Sequence, residues 1–308
     1  MSEVVSPLRV DPQDEGQLLR DESRALGRLM TTLVLSFVLV VVALMIARGI
    51  WLSPDVLAVV GLATALVLGR GRLFLRDWVP FIAIFLAWQA MRGLADNTGL
   101  AVHSDVVIAA ERAIFFGHIP SVDLQALLYR PESVSPLDVS MSVLYMAHFG
   151  FPILLAFYLW LINRRDYYRF VGMLMGMAII GFVIFVVLPV APPRFAYQYG
   201  EAIPVRDVMR ETLDKLHFNP VMSSLYANLP GNPVAAFPSL HIAFPALGYL
   251  FTRTRYPRTA WVVLVYGCAV LFAVLYLGHH YAVDALGGIA LAAIVYYGWQ
   301  LYLRRPRR

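Results

Sequence analysis

The chain has 308 residues, 59% hydrophobic and 15% charged, with a mean hydropathy of +0.66; that balance excludes an ordinary water-soluble globule and indicates a chain with several membrane spans. The net charge of +5 rests on arginines and one lysine, Lys215, and in such a chain basic residues report topology first, so nucleic acid is set aside as a partner. A lone cysteine, Cys268, lies in an apolar stretch, which excludes an intrachain disulfide and predicts a buried, inert thiol.

Residues 1–28 mix acids and arginines with no apolar core, as expected of a cytoplasmic polar tail and not of a cleavable signal peptide. Residues 29–308 read as one transmembrane domain with its core over roughly 137–303. Apolar runs at Leu29–Ile50, Leu137–Ile162, Phe170–Pro189, Thr259–Leu277 and Tyr281–Leu303 cross, or nearly cross, a hydrocarbon layer of about 30 Å. Three shorter runs, Pro54–Leu68, Trp78–Met91 and Pro238–Phe251, give only about 21 to 23 Å of helix. The first two come or go as a pair, so the expected fold is all-α and polytopic, with six to eight transmembrane helices.

Arginines cluster at 20/24/28, 70/72/76, 164/165/169, 253/255/258 and 304/305/307/308. All fall on one side of that topology, which the positive-inside rule makes cytoplasmic. The opposite side receives Gly93–Pro136 and Arg194–Phe237. Val205, Val208, Met209, Leu213 and Leu216 recur there at helical spacing between charges, describing an interfacial helix that can serve as a lid. Val106–Phe116 reads likewise, with Glu111 and Arg112 on an otherwise apolar turn; Arg92 and Asp96 are placed to pair with each other or to meet a polar headgroup; Pro230-Gly231-Asn232-Pro233 marks a turn re-entering the membrane.

Two polar islands open the last apolar stretches: Pro238-Ser239-Leu240-His241 and Gly278-His279-His280-Tyr281-Ala282-Val283-Asp284. Ionisable residues at membrane depth are functional suspects. His280 and Asp284 are four apart, so on a helix the carboxylate holds one imidazole nitrogen and leaves the other for chemistry. His241 supplies a second proton carrier. Two helix N-termini converging from one side are expected to receive phosphate, Gly287 and Gly288 permit close helix packing, and Arg194 in Ala191-Pro192-Pro193-Arg194 can grip a phosphate bidentately. These parts suit phosphoryl transfer through a phosphohistidine. A metal site built on His279, His280 and Asp284 is the weaker chemical reading, because adjacent histidines rarely reach one ion.

These residues resemble the type 2 phosphatidic acid phosphatase superfamily, with motifs KxxxxxxRP, PSGH and SRx5HxxxD. Pro238-Ser239-Leu240-His241 matches the second motif with Leu240 for Gly, and His280 with Asp284 matches HxxxD. The resemblance implies that His280 is the nucleophile, Asp284 its orienter, and His241 the acid at the leaving oxygen. Arg194 stands for the first motif's arginine, although Val187 replaces its lysine and Phe195 its proline. Val274 stands where the phosphatases carry arginine. That loss, with the His-His-Tyr run, resembles the inositol phosphorylceramide synthase branch, as do the Pro-Pro-Arg element and Tyr145 with His148.

The implied activity is movement of a phospho-headgroup, phosphoinositol in that branch, from a phospholipid donor to a lipid or polyol alcohol, with no cofactor or metal. Ser239, His279, His148 and Tyr145 join Arg194 as candidate substrate-binding residues. Hydrolysis of phosphatidic acid or a polyprenyl (di)phosphate, with water as acceptor, uses the same parts. A lipid transporter or scramblase is the reading from another class. Location in a bacterial plasma membrane with the site on the extracytoplasmic face is expected, and oligomeric state is left open.

Overall fold

The computed structural model describes residues 54–92, 99–217 and 233–304. The polar tail, the run Leu29–Ile50, Asp96 of the Arg92–Asp96 reading and all but Pro233 of the 230–233 turn lie outside them. The described chain is all-α: α1 (Pro54–Val67), α2 (Gly71–Arg92), α3 (Ser104–Ile114), α4 (Pro120–Leu128), α5 (Pro136–Met146), α6 (Gly150–Ile162), α7 (Arg164–Val187), α8 (Val208–Lys215), α9 (Leu240–Thr252), α10 (Pro257–Tyr276) and α11 (Ala282–Arg304). Short 3₁₀ turns occupy Ala147–Phe149 and Pro193–Tyr199. Among the described residues, α7, α10 and α11 are each long and apolar enough to cross a membrane, and the bent pair α5–α6 would make a fourth.

Local chemistry sets the boundaries. Ser135 and Asp138 form a reciprocal capping box ahead of α5, with Pro136 in its first turn, satisfying donors that a helix start leaves open. Asn163 caps α7 by accepting from the amides of Arg165 and Asp166, and Asp207 caps α8 by accepting from Arg210 N. The single span expected over Leu137–Ile162 is instead two helices meeting at 55°. Pro152 lacks the N–H that would reach the His148 carbonyl one turn back, and its ring crowds that carbonyl; Gly150 beside it permits the bend.

α9 packs between α10 and α11 and also touches α6 and α7. The bundle has two chemically distinct ends. At one, Asp166 at the start of α7 accepts from Arg255 Nη1 and Tyr256 OH beyond α9, at 2.9 and 2.7 Å. There too the buried Asp77 of α2 takes a bidentate Arg164 at 2.8 and 2.9 Å, with Trp160 Nε1 and Tyr168 OH completing its shell. At the other end, Val190 forms a parallel bridge with Ala235, and Arg194 N donates to Gly278 O at 3.1 Å. The stretches after α7, before α9 and after α10 are thereby tied together.

Outward faces are apolar: Ile179, Val183 and Val187 on α7, and Trp261, Val262 and Val265 on α10, are exposed, as surfaces facing lipid should be. Cys268 is exposed on that face of α10, correcting the expected buried thiol. Positions 261, 265 and 268 share one helical stripe, and an apolar run in a membrane helix does not distinguish lipid-facing from protein-facing sides.

Candidate functional site

α10 ends in a Schellman motif: Gly278 at φ 77° donates its N–H to Leu275 O at 3.1 Å, and His279 N donates to Val274 O at 2.9 Å. Gly278 is needed twice over, since a Cβ there would lie 2.7 Å from Arg206 O as well as straining the backbone. This stop lays His279 and His280 between α10 and α11. His280 Nδ1 faces Asp284 Oδ2 at 3.3 Å, and Tyr281 N donates to that same oxygen at 2.8 Å. His280 Nε2 meets His241 Nδ1, on the first turn of α9, at 2.9 Å.

α9 reaches α11 by backbone contact. Ser239 N donates to Asp284 O at 2.9 Å, and Gly288 lies so close that a Cβ would stand 2.3 Å from Ser239 O. Gly287 makes the same allowance for the Phe237 ring, 2.5 Å from its Cβ position, so the close packing expected of this glycine pair is present.

All eight residues that the sequence singles out come together. The Tyr145 ring stacks on His241 at 4.7 Å between centroids and lies 4.1 Å from His279. His148, in the turn that breaks α5 from α6, donates Nδ1–H to Tyr145 O at 2.8 Å and sets its ring 3.7 Å from that of His241. Arg194 Nη1 donates to His279 Nδ1, its Nε lies 3.2 Å from Asp207 Oδ2, and its guanidinium covers the Phe195 ring. Ser239 Oγ and Asp284 Oδ1 are buried without a hydrogen-bond partner among the described residues.

Because His279 Nδ1 accepts from Arg194, the imidazole is neutral, with its remaining N–H directed towards Asp207 Oδ1 at 3.7 Å. Burial, reinforced by the Arg194 charge, lowers the His279 pKa to about 3, which keeps it neutral at any working pH. For Asp207, burial pulls its pKa upward, but His279 and the Arg194 guanidinium outweigh it and hold the carboxyl below the usual range. Among the described residues no group of three or more His, Cys, Asp or Glu is arranged to hold a metal ion.

One expectation is corrected. The sequence predicts that the α11 N-terminus receives phosphate beside that of α9, but its first amides are taken: Glu111 of α3, fully buried, accepts from Ala282 N and Val283 N at 2.9 and 2.8 Å. A carboxylate at a helix start is the favoured arrangement, and it occupies the donors an anion would use. Burial raises the Glu111 pKa, with the two amide bonds opposing. Ser121 of α4 adds a bond to His280 O at 3.1 Å, and Gln125 bridges Tyr276 O, Arg206 O and Arg206 N.

Glu111, Ser121, Gln125 and Asp207 belong to the site although no sequence motif marks them. Glu111 alone carries a signal, as an acid on an apolar turn. A Glu111→Ala change leaves two buried amides unsatisfied, at about 1 to 3 kcal/mol each. We expect a clearly lowered Tm in detergent, with Glu111→Gln, which keeps one acceptor, falling between.

Val274 is fully buried, packed with Ile242, Val270 and Ala285. The position that bears arginine in the phosphatases is here part of the apolar interior.

A sequence profile described as PAP2 superfamily matches residues 105–298. The chain is 30% identical over 156 residues to an inositol phosphorylceramide synthase of Candida albicans, covering 48% of this chain and 33% of the relative. It is 28% identical over 174 residues to a phosphoinositol dihydroceramide synthase of Bacteroides thetaiotaomicron, covering 54% and 55%. An inositol phosphorylceramide synthase catalytic subunit of Schizosaccharomyces pombe is 28% identical over 170 residues, covering 53% and 40%. The chain thus spans about a third to just over half of the length of these curated relatives. No solved structure matches it.

Proposed function

The chain belongs to the PAP2 superfamily, and on that footing we propose that it is a membrane lipid phosphotransferase, moving a phospho-headgroup from a phospholipid to a lipid alcohol through a phosphohistidine on His280. The observation that carries this reading is the pair of bonds on His280. Asp284 faces Nδ1 at 3.3 Å and fixes the tautomer, so the Nε2 lone pair is directed at His241, 2.9 Å away, in a buried site.

His280 Nε2 attacks phosphorus, and the bond from phosphorus to the departing lipid oxygen breaks. Protonated His241 gives its proton to that oxygen, releasing the lipid alcohol. Neutral His241 next takes the proton of the acceptor hydroxyl, whose oxygen attacks phosphorus as the P–N bond breaks and restores His280. Phosphorus must take the place where His241 Nδ1 now meets His280 Nε2, so donor entry separates the two rings. Arg194, with the first turn of α9, faces the charge on the equatorial oxygens.

The charge of the site favours a diester donor. Arg194 is the single arginine of the cluster, it carries Asp207 against it, and Val274 removes the second guanidinium of the phosphatase pattern. A phosphodiester bears one negative charge, whereas a monoester approaches two at neutral pH, and this site is poorly supplied to neutralise the second. Phosphatidylinositol is the donor suggested by the relatives' names, and a ceramide-like alcohol the acceptor. The arginine-rich helix ends lie opposite the site, which by the positive-inside rule faces it to the extracytoplasmic side.

The test gives purified protein headgroup-labelled phosphatidylinositol with a mixture of ceramides and long-chain alcohols, beside a His280→Ala control and a parallel assay on phosphatidic acid. A His280-dependent labelled lipid product is expected, with little phosphate released from phosphatidic acid. Efficient phosphate release with no transfer product would replace this reading by hydrolysis.

A further inference from the structure

At the arginine-rich end, a cavity of about 740 Å³ opens between the start of α7, the end of α9 and the end of α11. It is remote from His280: the stretch of α7 from Asp166 on its wall to Val187, about 32 Å of helix, separates it from the Arg194 end. Three arginines line it, Arg169, Arg253 and Arg255, against a single carboxylate, Asp166. That carboxylate is already shared by Arg255 at 2.9 Å, Arg169 at 3.8 Å and Tyr256 OH at 2.7 Å. Arg253 has no carboxylate partner among the described residues. It donates to Tyr297 OH at 3.0 Å and lies beside the Tyr296 and Tyr297 rings, which leaves guanidinium donors unspent.

The rest of the wall suits a lipid. Met173, Phe251 and Leu303 supply apolar surface. The Trp299 ring reaches in against Gly172 of α7, where a Cβ would lie 3.1 Å from it, while Trp299 Nε1 is buried with no hydrogen-bond partner among the described residues. Such a donor calls for an acceptor. Surplus guanidinium charge, an unsatisfied indole N–H, interfacial aromatics and an apolar floor at the end of membrane helices together describe a headgroup pocket.

We propose that this cavity binds the phosphate of an acidic phospholipid from the leaflet on the arginine-rich side, as a site separate from the catalytic one. The phosphodiester accepts from Arg253, Arg169 and Trp299 Nε1, and the acyl chains leave along Met173 and Leu303. The lipid held there does not reach His280 and is a bound component, not a substrate.

Native mass spectrometry of the purified full-length protein, titrated with phosphatidylglycerol or phosphatidylcholine, tests this. We expect a roughly tenfold preference for phosphatidylglycerol, lost in Arg169→Gln/Arg253→Gln, reduced in Trp299→Phe and retained in Arg194→Ala. The conservative Trp299→Phe change keeps the ring and reads the indole N–H should the double variant fold poorly. Equal binding of the two lipids, an unchanged preference in both pocket variants, or loss of preference only in Arg194→Ala would overturn the site. Displacement of the lipid by millimolar inorganic phosphate would overturn the lipid as its ligand and leave a soluble phosphate in its place.

Discussion

His280→Ala is expected to lose transfer activity by roughly 10⁴-fold or more, because the nucleophile has no substitute. His241→Ala should lose about 10² to 10⁴-fold with a lipid donor, the usual contribution of a placed acid or base. The two variants separate when the leaving group needs no proton. With a nitrophenyl phosphodiester, whose phenolate departs unaided, His241→Ala should still form the covalent phosphoenzyme in a rapid-quench assay with a labelled phosphoryl group, and His280→Ala should form none. Label retained in His280→Ala would remove it from the nucleophilic role. Equal loss of labelling in both variants would mean that His241 acts on attack and not on departure. Asp284→Asn provides an intermediate case, since an amide can misdirect the His280 tautomer while preserving shape.

The second large effect concerns Gly288. A Cβ there would stand 2.3 Å from Ser239 O and 3.2 Å from both Ser239 C and Ala243 N, all backbone atoms of the extended entry to α9 and its first turn. Backbone cannot rotate away as a side chain can, so Gly288→Ala must push α9 off α11. Overpacking of this kind costs about 1 to 3 kcal/mol. The displacement also breaks the Ser239 N to Asp284 O bond and draws His241 away from His280, and a misplacement of about 1 Å at a reacting centre is worth roughly 10²-fold. We expect a depressed Tm with a larger fall in transfer activity than the stability loss explains. Gly298→Ala, on the same helix with nothing within 4 Å of its Cβ position, should leave activity unchanged, gaining up to about 1 kcal/mol of helix propensity. Wild-type activity in Gly288→Ala would show that the α9–α11 approach does not set the site.

Much of this site is legible in the amino-acid sequence, because its central relationships are local in the chain. His280 and Asp284 are joined by helical spacing, and Arg194 follows directly on an apolar span. Each follows from the rise and turn of one helix and the apolar length that crosses a bilayer. The same logic anticipates an interfacial helix near Val208 and another near Glu111, and the Gly287-Gly288 approach.

What the tertiary structure decided lies in pairings between helices distant in sequence, for which no spacing exists to read. Glu111 meets the α11 amides, and so closes a phosphate site that the isolated helix end would offer. Asp207 and His279 hold Arg194 between an interfacial segment and the loop after α10. Pro152 turns an apolar run of spanning length into two helices and places His148 at the bend against His241. Cys268 lies on the exposed side of α10, a choice that apolar composition cannot make when both the bilayer and the interior are apolar. Helical periodicity and hydropathy act within a segment and are carried by its own residues, whereas capping across helices, the neutralising partner of a charge and the lipid or protein neighbour of a face depend on which segments pack together, and packing alone determines them.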